Sequence, residues 1–119
     1  MSERGRAMVA VISRVPLISE ALSASLEGIA DVRWFSAHSA DTDGLVRSLQ
    51  PDAIVVDSDE VARDAEPAAT TTDAILLQVL LQQGTVRILR DGAWEDTEGP
   101  ATPEAIRNLI VGAVYGATP

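Results

Sequence analysis

The sequence has no cysteine, no lysine and a single histidine, His38, and each absence removes a class of chemistry. Without cysteine there is no disulfide, no thiolate nucleophile and no zinc site that needs sulfur. One histidine leaves no multi-histidine metal site. A lone imidazole in the stretch AHSADTDG, with no catalytic constellation around it, reads as a surface residue. The absence of lysine makes all nine basic residues arginine. Aromatic residues are 3% of the chain, so the core must be built from Leu, Ile, Val and Ala. Positive charge is scarce: 18 Asp and Glu against nine Arg give a net charge of −9. A phosphate backbone would be repelled by most of such a surface, which disfavours direct nucleic-acid binding. Long apolar runs are missing too. Near the N-terminus only Ala7 to Ile12 is apolar, too short for a signal peptide's apolar region and far too short to span a bilayer. The expectation is a cytoplasmic protein with no membrane contact.

What is present suffices for one domain. The 119 residues, 46% of them hydrophobic, suit a single core. Residues 1–6 are polar, with Arg4, Gly5 and Arg6, and read as a loose arm; residues 7–116 read as one α/β domain. AMVAVIS, residues 7–13, is an apolar run closed by serine, the pattern of a strand buried on both faces. In VPLISEALSASLEGIA, Pro16 suits the first turn of a helix. Ile18, Ala21, Leu22, Leu26 and Ile29 form its apolar face with Ser25 at the edge, Ser19, Glu20, Ser23 and Glu27 lie opposite, and Gly28 is the stop. DVRWFS, residues 31–36, reads as a second strand. DTDGLVRSLQ predicts a short helix capped by Thr42 or Asp43, with Leu45, Val46 and Leu49 inward and Pro51 ending it. DAIVVD is the third strand. Glu60 to Ala65 suit a turn or two of helix, after which Pro67 and the threonine run predict loop through residue 73. AILLQVLLQ is a fourth strand and Gln83-Gly84 a tight turn. TVRILR is a fifth strand with Val86, Ile88 and Arg90 on one face and Thr85, Arg87 and Leu89 on the other. Asp91-Gly92 signals another turn, with AWED pairing briefly beyond it. Thr102-Pro103 opens a last helix whose inward face is Ile106, Leu109, Ile110, Ala113 and Val114, ended by Gly116.

This order predicts a three-layer open α/β sheet, mostly parallel, with helices on both faces, an antiparallel hairpin at its C-terminal edge and a closing helix. In such sheets functional groups gather at the carboxyl ends of the parallel strands, where strand order reverses. The segment PDAIVVDSD, residues 51–59, puts Asp57 at that edge. Arg14, just after strand one, belongs there too and is a candidate partner for Asp57. Arg14 and Arg90 are a candidate anion site, but no Gly-rich phosphate loop accompanies them, since Gly5 and Gly28 have the wrong context.

From the first strand to the last helix, the order of elements, the PDAIVVDSD segment and the closing TPEAIRNLIVGAV helix resemble the receiver domain of bacterial response regulators. The resemblance implies a flavodoxin-like fold and sets Asp57 at the phosphoacceptor position. It also implies an acidic pair after strand one to hold Mg2+, a Ser or Thr ending strand four, and a lysine after strand five. Here those places read Ile12-Ser13-Arg14-Val15-Pro16 and Leu80-Leu81-Gln82-Gln83, and Arg90 is the only cation near the third. Ser13 is a feeble ligand for a hard dication, and Arg14 would repel one. Asp59 and Glu60 supply carboxylates from the wrong strand for the family pattern. The helix between strands four and five, a main output surface of signalling receivers, gives way to the Gln83-Gly84 turn. Only Asp57 matches the expected catalytic positions, so the chain resembles a degenerate, or pseudo-, receiver, with no catalytic residue, metal or cofactor expected.

The expected function is a non-enzymatic signalling module acting by protein–protein interaction. One alternative is an active single-domain response regulator phosphorylated at Asp57. The other is a small-anion or ligand-binding α/β protein using Arg14 and Arg90. For Asp57 itself the competing role is a strand-end carboxylate paired to an arginine or a backbone amide. Ser13, Arg14, Asp59 and Arg90 are the site-edge candidates; Trp94 and Tyr115 are the interface candidates. Gly112 and Ala113 suit either a homodimer through the last helix or close packing of that helix on the sheet.

Overall fold

The computed structural model describes residues 7–14, 16–37, 41–90 and 92–114. The arm at 1–6, His38, Tyr115 and Gly116 lie outside them, as does the side chain of Arg90. Among the described residues the elements run β1 (Ala7–Ser13), α1 (Leu17–Ser25), β2 (Ala30–Ser36), α2 (Thr42–Leu49), β3 (Ala53–Val56), α3 (Asp59–Thr72), β4 (Ile75–Leu80), β5 (Thr85–Arg90), β6 (Ala93–Pro100) and α4 (Pro103–Val114). One sheet holds the strands in the order β2-β1-β3-β4-β5-β6. The first four are parallel, and β5 and β6 are antiparallel additions. No helix among the described residues is long and apolar enough to cross a membrane.

Alternation along the central strands divides the core in two. Val9, Val11, Ala53, Val55, Leu77 and Val79 point to one face, where Leu22 of α1, Leu26 just after it, and Ile106 and Ile110 of α4 close over them. Ile12, Ile54, Val56 and Leu76 point to the other, under Val46 of α2 and the alanine face of α3. The split follows from strand order together with the right-handed preference of parallel crossovers: the chain steps one way from β1 to β2 and the other way through β3 and β4. The reversal lies between β1 and β3, where Ile12 pairs with Val56 and the carboxyl ends of both strands stand side by side.

Several elements differ from the sequence reading, each for a local reason. The cap of α2 is Asp41, whose carboxylate accepts from the Gly44 N–H at 3.3 Å, so Thr42 is free to bury at 7% exposure. Ser19 sits inward, not on the polar side of α1, because its hydroxyl donates to the Pro16 carbonyl at 2.8 Å. The stretch 59–72 is one helix, not a turn and a loop. Its inward residues Val61, Ala62, Ala65, Ala68 and Ala69 keep helical spacing straight past Pro67. Pro67 deprives the Arg63 carbonyl of a donor, but both residues face solvent, so water can meet that carbonyl and burial of the opposite face outweighs the remaining cost. The threonines support the last turn: Thr71 and Thr72 donate to the carbonyls of Pro67 and Ala68 at 2.9 and 2.8 Å. In β6 pairing continues well past AWED, to Thr85 opposite Pro100, with a register shift. In α4 the Thr102 hydroxyl accepts from the Ala105 N–H at 3.1 Å, as a cap should, but Ala113 is exposed. A side chain added at Gly112 would meet nothing within 4 Å, so close packing on the sheet does not explain that glycine.

The link from β4 to β5 is a four-residue turn, Leu81 to Gly84. Gly84 (φ 70°) takes the left-handed conformation, and its N–H donates to the Leu80 carbonyl at 2.7 Å. No crossover helix forms here, so α3 lies over β3 and β4 while β5 and β6 extend the sheet beyond it. If α3 is continuous, Pro67→Ala restores a helix-interior hydrogen bond. It is expected to raise the unfolding free energy by about 1–3 kcal/mol in urea melts. A neutral or destabilising result would contradict the continuous helix.

Candidate functional site

β3 runs apolar through Val56, and Asp57 is the first residue past its end. Ser58 is extended (φ −146°, ψ 156°) and caps α3, its hydroxyl accepting from the Val61 N–H at 3.3 Å. Asp59 follows in the first turn, where a carboxylate is favoured by the helix dipole. Asp59 is also tied to the sheet: Gln78 Nε2 donates to its Oδ1 at 2.7 Å. Gln78 is only 2% exposed, a lone polar side chain in the apolar run of β4.

A groove of about 1020 Å³ opens at this edge, lined by Asp57, Asp59, Gln78, Arg14, Arg87 and Trp94, together with Leu81, Gln82 and Gln83 of the β4–β5 turn. A smaller hollow of about 220 Å³ shares Asp59, Gln78, Arg87 and Trp94 and is bounded by Arg63 and Glu66 of α3. The floor is set by strand register. Gln78, Arg87 and Asp96 stand opposite one another across β4, β5 and β6, and Leu76, Leu89 and Trp94 form the neighbouring row. The Arg87 guanidinium lies 4.6 Å from the centre of the Trp94 ring, a cation–π contact of about 0.5–2 kcal/mol depending on its desolvation.

Charges in the groove do not neutralise one another. Asp57 Oδ1 is buried and has no hydrogen-bond partner. Among the described residues, Arg14 and Arg87 form no ion pair either, whereas Arg47 on the outer surface meets Asp43 at 3.0 Å. An unmet buried acceptor costs about 1–3 kcal/mol. Asp57 is therefore not the paired strand-end carboxylate that one sequence reading allowed, and the expected Arg14–Asp57 pair does not form, although both residues line the same groove.

The other sequence candidates divide. Ser13 is fully buried, and its hydroxyl accepts from Trp34 Nε1 at 3.0 Å, so it belongs to the wall behind the groove. Asp59 is in the groove. Trp94 is partly buried beneath Arg87 instead of protruding. Arg90 does not join Arg14: β5 runs antiparallel, so with Leu89 opposite Leu76 the end of β5 falls beside the start of β4, at the opposite edge of the sheet. That direction is why Arg87, not Arg90, reaches the groove. Gln78 and Arg87 were not singled out from sequence. A polar residue inside ILLQVL and the alternation of TVRILR were the available signals, but only the register joins them.

Compared with known proteins, the chain matches no family model, no curated protein and no solved structure. Because Asp57 has no partner to lose, Asp57→Asn is expected to cost less than about 0.5 kcal/mol in chemical unfolding. A loss of about 1–3 kcal/mol would mean that the carboxylate is held by the fold.

Proposed function

We propose that the chain is a non-catalytic, receiver-like regulatory module of flavodoxin-like topology that works in the cytoplasm through contact with a protein partner. The observation that carries this reading is the Trp34–Ser13 hydrogen bond. At the end of β1, where a phosphate-accepting receiver needs metal-binding carboxylates, the chain has a buried serine engaged by an indole, followed by an exposed arginine. Such a pair offers Mg2+ one weak ligand and one repulsive charge. Contact with a partner is supported by the exposed large apolar side chains. Leu17 (68%), Leu81 (62%) and Trp34 (38%) lie just after β1, just after β4 and near the end of β2, all toward the carboxyl edge. A second copy of the chain is one such partner, and the exposed Gly112 and Ala113 of α4 are compatible with it.

Phosphorylation at Asp57 is the second reading, and the unmet Oδ1 favours it. In that reaction a carboxylate oxygen attacks phosphorus and the phosphate donor leaves, with Mg2+ neutralising the transferred group. The two readings part on one experiment. Incubation with Mg2+ and acetyl phosphate, and separately with beryllofluoride, is expected to give no added phosphate mass and no Mg2+-dependent amide shifts. A Mg2+-dependent response that vanishes in Asp57→Asn would replace the first reading with the second.

A further inference from the structure

The groove at the carboxyl edge leaves charges of both signs unmet. Asp57 Oδ1 lacks a donor. Arg14 and Arg87 lack an anionic acceptor among the described residues. All three line one groove of about 1020 Å³ and remain apart, in a chain with twice as many acidic as basic residues. The buried Asp57 Oδ1 costs stability unless something else meets it, while the exposed Arg14 and half-buried Arg87 keep water that an anionic group can displace.

We propose that this groove binds a small zwitterion carrying both an ammonium group and a carboxylate, as free amino acids and short peptides do. Asp57 accepts from the ammonium, and the arginines donate to the carboxylate. A guanidinium is suited to that second task because its fork matches two carboxylate oxygens. Stacking on Trp94 holds the Arg87 guanidinium in place before the ligand arrives, which lowers the ordering cost on binding. Asp59 is already engaged by Gln78, so Asp57 is the carboxylate with an open valence. A purely anionic ligand would leave Asp57 unmet and face Asp59 and Asp96 across the groove. A purely cationic ligand would leave both arginines unmet. This inference stands independently of whether a protein partner docks at the same edge.

The test is a titration of the full chain, isotopically labelled, followed by backbone-amide NMR. The probes are L-alanine, the dipeptide Ala-Ala, N-acetyl-Ala-Ala (amine removed) and Ala-Ala amide (carboxylate removed). Saturable shifts are expected at Asp57, Gln78, Arg87 and Trp94 with alanine or Ala-Ala, and the tighter of the two reports the separation between the charged ends. Each blocked dipeptide is expected to bind at least about tenfold more weakly than free Ala-Ala. Asp57→Asn should make free and acetylated Ala-Ala equivalent, and Arg87→Gln should narrow the gap between free and amidated Ala-Ala, which Arg14→Gln added to it should close. Equal binding of the acetylated and free dipeptides to the unmodified chain would mean an anion site and overturn the proposal. Equal binding of the amidated and free forms would mean a cation site and do the same, as would the absence of saturable shifts with every probe. Because the probe comparison uses the unmodified chain, it decides the matter even if a variant fails to fold.

Discussion

β1 and β3 have no face in water. From Val9 to Ile12 and from Ala53 to Val56 every side chain is buried, so each strand needs cover on both sides. Two apolar clusters and helices on both faces follow from that requirement. Each fully buried Val, Ile or Leu contributes about 1.5–3 kcal/mol, so the central strands supply far more than the cost of one or two unmet polar groups at their ends. β1 and β3 turn polar only at their carboxyl ends: Ser13 is still buried and engaged by Trp34, and the cover ends at Arg14 and Asp57. The edge that carries the groove is thus the place where the burial constraint lapses.

Much of this was legible in the sequence because burial on both faces leaves a plain mark. AMVAVIS, DAIVVD and AILLQVLLQ are apolar without alternation, and the helix between the first two strands carries its stripe in full view. Asp57 was legible for the same reason, as the first charge after such a run. The helix α3 was less so. Its inward face is almost all alanine, which gives a weak apolar signal, and Pro67 with three threonines argues for loop if each residue is read alone. Spacing at 61, 62, 65, 68 and 69 overrules that reading, since burial of that face outweighs the cost of one proline on the solvent side.

The groove was only half legible. Arg14, Asp57 and Asp59 follow the ends of strands or open helices, and their edge can be inferred from element order alone. Gln78, Arg87 and Trp94 reach the same place only through antiparallel pairing, and nothing local in TVRILR says which way the strand runs. The reversal also exchanges Arg90 for Arg87. Without the tight turn at Gln83-Gly84, a crossover helix would return the chain parallel and send a different arginine to the site.

That turn also governs the order in which the sheet can be assembled. Leu80 pairs with Thr85 just beyond it, while the Met8 N–H must find Asp52 Oδ2 across 44 residues. Closing a loop of about ten residues takes roughly 10–100 ns, and the entropic cost grows by about 0.6 kcal/mol with each doubling of length. The β4–β5–β6 meander therefore meets the smaller entropic barrier, and the union of β1 with β3 the larger. The floor of the groove, with Arg87 over Trp94, comes from the quickly closed part. The wall that carries Arg14 and Asp57 comes from the slow part. A chain opening along its costliest seam would separate Arg14 from Asp57 while Arg87 and Trp94 stayed together.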